Sequence, residues 1–309
     1  MKDISVILIN YNSSTFTIDC IKSILEQTSS SISYEFIVVD NASEIEDYTV
    51  LKKSIDQLRL PNLKLVRSKY NTGFGGGNMY GIQFANGKYY AFVNNDTVLQ
   101  NDCLAITFNF LENTLDAAIC CPQQYNEKDE VQKSFDHFLS LRRELFGRKI
   151  LEKMNPSKFP KRRKTYSNPI KVQSVPGSFL VVEADAFNKV GGFDTNIFLY
   201  YEETDLCYRI AKNIKNGDCF LVPEGRYTHF KGQSTGKNIA IKKELKISLL
   251  YVLRKNSGYL AYEILRWWLT TKFFFKCIFK PKNFQLFILF LKGAPLSLSL
   301  KQKQTIAEQ

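Results

Sequence analysis

The sequence predicts an α/β fold: a mixed, mainly parallel sheet flanked by helices, with a helical extension at its C-terminal end. Three observations carry that prediction. Short, near-continuous apolar runs at Ile4–Ile9, Phe36–Asp40 and Leu63–Val66 fit strands buried on both faces. Helical spacing fills the gaps between them, and a strand–helix–strand–helix–strand order implies parallel neighbours joined by right-handed crossovers. From Lys237 onward the chain turns continuously helical, aromatic and basic.

The first strand ends in the polar loop Asn10-Tyr11-Asn12-Ser13-Ser14. Thr17–Gln27 then places Ile18, Ile21, Ile24 and Leu25 on one helical face. The second strand ends in Asp40-Asn41-Ala42-Ser43, and a helix over Ile45–Leu58 leads to the third. Ligands of such sheets bind beyond the C-terminal strand ends, so Asn10, Asp40 and Asn71 mark a binding rim. Next comes Asn71-Thr-Gly-Phe-Gly-Gly-Gly-Asn78, whose glycines permit tight turns and close approach to a ligand. It is not G-x-G-x-x-G and follows the third strand rather than the first, which argues against a dinucleotide cofactor; a plain hinge is the competing reading. A helix over Met79–Ala85 precedes a fourth strand, Tyr89–Val93, ending in Asn94-Asn95-Asp96-Thr97. Asn94-x-Asp96 offers oxygens to a hard cation, and its single carboxylate suits Mg²⁺ or Mn²⁺ held mainly by substrate phosphates. An Asx turn explains the same residues without a ligand.

Leu104–Leu111 reads as helix and Ala117–Cys121 as a short strand. Over 123–173 the pattern dissolves, with a basic run at Lys158–Lys164 interrupted by Pro156 and Pro160. The expectation is a long mobile excursion that either covers an acceptor site or is a solvated insertion. Order returns with a strand over Val175–Val182 and a short helix over Asp185–Val190, stopped by Gly191-Gly192. Tyr200-Tyr-Glu-Glu-Thr-Asp-Leu-Cys-Tyr-Arg209 then packs Glu202, Glu203 and Asp205 together ahead of a helix reaching about Ile214. Crowded carboxylates raise one another's pKa, the setting of a general base. A solvated helix start is the competing reading; the flanking aromatics and Gly191-Gly-Phe-Asp194 favour a site. Phe220–Val222 reads as the last strand. His229 follows it, ahead of a polar glycine-containing loop, a place that suits a metal ligand or a structural histidine.

The 309 residues suffice for one large domain or two smaller ones. The net charge of +12 calls for anionic partners such as nucleotide phosphates, acidic lipids or nucleic acid. Seven cysteines without a C-x-x-C pair fit neither a disulfide framework nor a zinc site, and point to a reducing cytosol. No signal peptide and no spanning helix is expected. In the tail, Lys272, Lys276 and Lys280 form an i, i+4 stripe among Trp267, Trp268, Phe273, Phe274, Phe275 and Phe279, broken by Pro281 before Phe284–Leu291. That suits a helix lying on an anionic membrane surface; the alternatives are a homodimer face or an appendage packed on the domain.

Six segments taken in order, Ser5–Asn12, Val38–Ser43, Asn71–Asn78, Val93–Asp96, Gly191–Asp194 and Tyr201–Arg209, resemble inverting family 2 glycosyltransferases of the GT-A fold, especially the rhamnosyltransferase-like branch. The resemblance spans about residues 3–235. It implies a catalytic domain over 1–235, with 123–173 on the acceptor side, and an extension over 236–309. It implies that Asn10, Tyr11 and Asp40 hold base and ribose, and that Asn71, Gly73 and Asn78 lie beside the donor. Asn94, Asn95 and Asp96 match a D-x-D-type motif that departs at its first position, with Asp96 the principal carboxylate for Mg²⁺ or Mn²⁺ and His229 completing the metal or diphosphate site. Glu203 becomes the general base, with Glu202 the alternate, and Asp205 and Arg209 belong to the same motif. The implied reaction moves a sugar, first rhamnose from dTDP-rhamnose and next a UDP-linked hexose, to a saccharide or lipid-linked acceptor in bacterial surface polysaccharide (O-antigen) synthesis. The implied place is the inner face of the cytoplasmic membrane. Two rivals remain at this point: a nucleic-acid-binding protein, and an inactive scaffold of an assembly complex. Against nucleic acid, the cations gather in 142–171 and the tail rather than along a sheet face.

Overall fold

The computed structural model describes residues 1–230 and 238–307. The loop at 231–234 and the 235/236 boundary therefore lie outside the described residues. The chain opens with β1 (Lys2–Asn10), α1 (Ser14–Gln27), β2 (Tyr34–Asp40), α2 (Ile45–Leu58) and β3 (Leu63–Arg67). β2 pairs parallel with β1 on one side and β3 on the other. Along β1, Ile4, Val6 and Leu8 enter one core and Ile7 the other; Phe36 and Val38 of β2 alternate likewise with Ile37 and Val39. This period of two, apolar on both faces, is why the runs look continuous in the sequence.

The glycine-rich segment is not a loop. It forms helix α3 (Gly73–Gly81), packed so tightly on the sheet that a Cβ on Gly81 would sit 2.9 Å from Ile7 and Val39. A short 3-10 turn, rather than the expected continuation of helix to Ala85, leads to β4 (Gly87–Asn94). β4 pairs parallel with β1. Then follow β5 (Thr97–Leu99), α4 (Cys103–Asn113) and β6 (Ala117–Tyr125).

The 123–173 excursion carries more structure than its sequence pattern shows: α5 (Leu141–Phe146), α6 (Arg148–Met154) and β7 (Ile170–Val172). Buried His137 and Arg143 and the stacking of Phe135, His137 and Phe159 hold it together, contacts that no short-range periodicity records. β8 (Phe179–Glu183), α7 (Ala184–Lys189) and α8 (Glu202–Asn213) follow. β9 (Asp218–His229) is longer than the expected Phe220–Val222. Pro223 does not end it, because the register with β6 shifts at that point: Pro122 faces Val222 and Gln123 faces Arg226. The sheet order is β3-β2-β1-β4-β8-β6-β9-β5, with β7 on β9; β4–β8, β6–β8, β5–β9 and β7–β9 are antiparallel, so the sheet is mixed.

The extension is α9 (Ile239–Phe279), kinked at Gly258, and α10 (Phe284–Leu291). It packs on the 123–173 excursion and on α8 through its own core, in which Leu249, Leu253, Leu269 and Phe290 meet Leu139 and Ile197. The seven cysteines are free, six of them buried.

Candidate functional site

A cavity of ≈780 Å³ opens over the C-terminal ends of β1 and β4, where parallel strands leave backbone groups and loop side chains facing outward. One wall is the predicted rim. Tyr11, Asn71, Gly73, Asn94 and Asn95 line it, joined by Ser13 and Asn41. Asn41 stitches this wall: its Nδ2 donates to Asn71 Oδ1 and to the Gly73 carbonyl, both at 3.1 Å. Asn95 Nδ2 donates to Ser13 Oγ at 2.7 Å. Gly73 has φ +74°, and a side chain there would collide with the Phe198 carbonyl, so only glycine lets α3 begin at the cavity edge.

Three of the expected nucleotide- and donor-binding residues, Asn10, Asp40 and Asn78, sit underneath rather than in the lining. Asn10 is fully buried, donating to Asp40, Ser43 and Asp47 and accepting from Thr17. Asp40, also buried, pairs with Arg67 at 3.2 Å. Asn78 Nδ2 donates to the Phe74 carbonyl inside α3. These side chains brace the loops that line the cavity.

At the end of β4, Asp96 is buried and His229 lies beside it, Nε2 to Oδ1 3.0 Å, with Asn94 Nδ2 3.4 Å from the same nitrogen. The pairing of β5 with β9 sets His229 opposite Thr97 and so brings it to Asp96. The Asp96 Oδ1 contact with His229 Nε2 lacks hydrogen-bond geometry, and neither that oxygen nor His229 Nδ1 finds a hydrogen-bond partner among the described residues. No group of three or more His, Cys, Asp or Glu that could hold a metal occurs among the described residues. His229 and Asn94 line the cavity and Asp96 lies buried behind them; one carboxylate and one imidazole leave most coordination positions to phosphate and water, which is the manner of Mg²⁺ and Mn²⁺. The residues therefore fit a cation that arrives with a diphosphate.

The opposite wall is the acid pair. Tyr200 and Tyr201 both take left-handed backbone conformations, φ 75° and 72°, an expensive turn that sets Glu202 and Glu203 on the first residues of α8 facing the cavity. Burial, then the charge of Glu203, raises the Glu202 pKa well above the usual carboxylate range; Oε1 of Glu202 finds no partner among the described residues. Burial also raises Glu203, but that residue is only part-buried, accepts a bond from Thr204 and stands near Arg143, which favours its charged form. Both carboxyls are thus raised, Glu202 the further of the two. Asp205 and Arg209 turn away from the cavity. Buried Asp205 accepts from Arg209 Nε at 2.7 Å and Lys255 Nζ at 2.9 Å, and Arg209 donates to the carbonyls of Val190 and Gly192. They lock α8 to α9 and to the Gly191–Asp194 turn.

A third wall was invisible in the sequence. Lys133, Arg148 and Arg162 come from the excursion, and Leu245, Leu300 and Gln304 from the extension. Glu244 of α9 pins that last segment by accepting from Ser299 Oγ and Leu300 N, both at 2.8 Å.

The family model described as glycosyl transferase family 2 matches residues 5–191. The chain belongs to glycosyl transferase family 2. Among its relatives, the low-salt glycan biosynthesis hexosyltransferase Agl10 of Haloferax volcanii is 24% identical over 72% of this chain and 66% of its own length. Rhamnosyltransferase WbbL of Escherichia coli K12 is 26% identical over 59% of this chain and 71% of its own. An N-acetylglucosaminyl-diphospho-decaprenol L-rhamnosyltransferase of Mycobacterium tuberculosis is 34% identical over 27% of each chain. Two of these three relatives are named rhamnosyltransferases and one a hexosyltransferase. A crystal structure of GalNAc-T7 with UDP, GalNAc and Mn²⁺ superposes with a TM-score of 0.58 at 15% identity, over 81% of this chain and 48% of that one. That likeness shows the GT-A fold, and the family 2 chain spans about half of that structure's length.

Proposed function

We propose that this chain is an inverting glycosyltransferase with Glu203 as its general base. One observation carries the reading: a single cavity is lined by Glu202 and Glu203, whose pKa values are both raised, and by Asn94 and His229, with buried Asp96 3.0 Å behind His229. Inversion needs one in-line displacement. Glu203 takes the proton of an acceptor hydroxyl as that oxygen bonds the anomeric carbon, and the bond from this carbon to the nucleoside diphosphate breaks. Tyr11, Asn71 and Asn95 would contact the nucleotide, over the bracing set of Asn10, Asp40 and Asn78. A divalent cation held by Asp96, His229 and Asn94 would offset charge on the leaving diphosphate.

The relatives' names support transfer of a rhamnosyl or hexosyl group and, in one case, a lipid-linked saccharide acceptor; the proposed donors are dTDP-rhamnose first and a UDP-linked hexose second, and the proposed setting is bacterial surface polysaccharide synthesis. The catalytic unit is 1–235 and the extension 236–309. No described helix is long and apolar enough to cross a membrane. Yet Leu260, Ile264, Trp267, Phe274 and Ile278 of α9 stand exposed at steps of four, three, seven and four residues, one helical face, opposite buried Leu265, Leu269 and Phe273. Arg266 and Lys272 cover the Trp267 and Trp268 rings at 4.3 and 4.2 Å. A basic-flanked apolar stripe of this kind fits an anionic cytoplasmic membrane face.

The test is a panel of nucleotide sugars incubated with the protein in Mn²⁺, Mg²⁺ or EDTA, reading released nucleoside diphosphate and, in parallel, the melting temperature with UDP or dTDP. Release from one donor that EDTA abolishes is the expected result. Silence across the panel, together with no thermal shift by any nucleotide, would overturn the reading.

A further inference from the structure

The cations of the excursion do more than balance their own carboxylates. Asp136 alone serves three guanidiniums, Arg143 at 3.5 Å, Arg148 at 2.9 Å and Arg162 at 3.2 Å. Arg143 also holds Glu144, and Arg162 holds Glu152. With Lys133 added, four cations face three carboxylates, leaving the cluster positive. Two donors are left over. Arg148 reaches Asp136 through Nε only, so its terminal nitrogens have no protein acceptor among the described residues. Lys133 makes no ion pair among the described residues; burial with Arg162 and Arg163 nearby lowers its pKa, more than Asp136 raises it. Both donors, and Arg162, line the same cavity as Glu203. Tyr201 joins the two regions: it precedes Glu202, and the Arg143 guanidinium lies 5.8 Å from its ring.

We propose that Lys133, Arg148 and Arg162 form an anion subsite for a phosphate group carried by the acceptor, on the base side of the cavity and separate from the Asp96–His229 corner. The forked, always-charged Arg148 suits phosphate oxygens, and Lys133 adds a movable point charge. Lys246 of α9 extends the positive track outward. It is half-buried, with the Glu144 carboxylate the strongest charge acting on it and Lys272, Lys276 and Arg148 next. A lipid-borne phosphate could follow that track from the apolar stripe to the cavity. The subsite rests on the transferase reading for its meaning as an acceptor site.

The test titrates the full chain with farnesyl phosphate, farnesol and inorganic phosphate in EDTA, by calorimetry, for wild type, Lys133→Gln and Arg148→Gln. Lys133 holds no ion pair among the described residues, so its variant keeps the fold intact even where Arg148→Gln loosens the Asp136 cluster. Farnesyl phosphate should bind wild type and weaken at least tenfold in Lys133→Gln, with farnesol weak throughout; UDP and dTDP binding in Mn²⁺ should be unchanged by Lys133→Gln. Inorganic phosphate binding as tightly as farnesyl phosphate, and equally sensitive to Lys133→Gln, supports the subsite and assigns it to a soluble phosphorylated acceptor. Equal farnesyl phosphate affinity in wild type and Lys133→Gln overturns the subsite. Intact phosphate binding with no UDP or dTDP binding in wild type overturns the transferase reading instead.

Discussion

Glu202 and Glu203 are neighbours in sequence but not in environment, and their difference assigns their roles. Glu202 is 2% exposed with an unpartnered oxygen, whereas Glu203 is only part-buried and touches Thr204. Replacing Glu203 by Gln should lower kcat by about 10²-fold or more while nucleoside diphosphates still raise the melting temperature. The wild-type kcat/KM should rise with pH through a value above the ordinary glutamate pKa of about 4.3, and that limb should vanish in Glu203→Gln; full activity of the variant would move the base to Glu202. Glu202 makes a separate prediction about stability. Because burial and Glu203 raise its pKa in the fold, the folded chain binds that proton more tightly than the unfolded chain. The associated stability is complete below about pH 4.3 and is lost as pH climbs through the raised value. Glu202→Gln should therefore match wild type near pH 4 and melt about 2 °C higher at pH 8, checked by thermal scans across that range. The acid cluster was legible because three carboxylates between aromatics are an unusual run. That Asp205 is structural was not legible, since its partner Lys255 lies fifty residues away in sequence.

At the scale of elements, α3 shows a packing demand overriding local propensity. Glycines disfavour helix by about 1 kcal/mol each relative to alanine, so Gly73–Gly81 reads as loop in isolation. The sheet decides otherwise: a helix lying this close to Ile7, Ile9 and Val39 has no room for side chains on that face. Gly81→Ala keeps the better helix former but overpacks the contact, and should destabilise by about 1–3 kcal/mol in denaturant titration with nucleotide binding retained. A stabilised variant would mean that helix propensity, not packing, limits this element. β9 was misjudged for a related reason. Pro223 is a stop signal for a regular ladder, but the shift opposite Pro122 absorbs it, and only the paired strand reveals that. The parallel strands β1 and β2, whose apolar pattern is set by burial on both faces, were legible to within two residues.

At the scale of the whole molecule, the extension serves the cavity on one side and leaves an apolar stripe on the other. Lys255 ties α9 to Asp194 and Asp205, and Leu300 and Gln304 complete the cavity wall, so removing the extension would damage the site along with any surface it offers. A test of membrane docking must leave that inner face alone. Leu260, Trp267, Phe274 and Ile278 are 74%, 51%, 51% and 64% exposed, and none belongs to the core of the extension. Their replacement by Ser should keep the melting temperature and nucleotide binding. Wild type should co-sediment with vesicles containing phosphatidylglycerol and much less with pure phosphatidylcholine, because Lys272 and Lys276 add about 1 kcal/mol each near an anionic surface. Raised salt should weaken that binding within the range where the Debye length falls below about 8 Å. The fourfold Ser variant should lose it at every salt concentration, since charge without an inserted apolar face holds poorly. If the variant instead sediments like wild type and wild type is dimeric in light scattering while the variant is monomeric, the stripe is a contact between two copies of this chain and the acceptor must reach the cavity by another path.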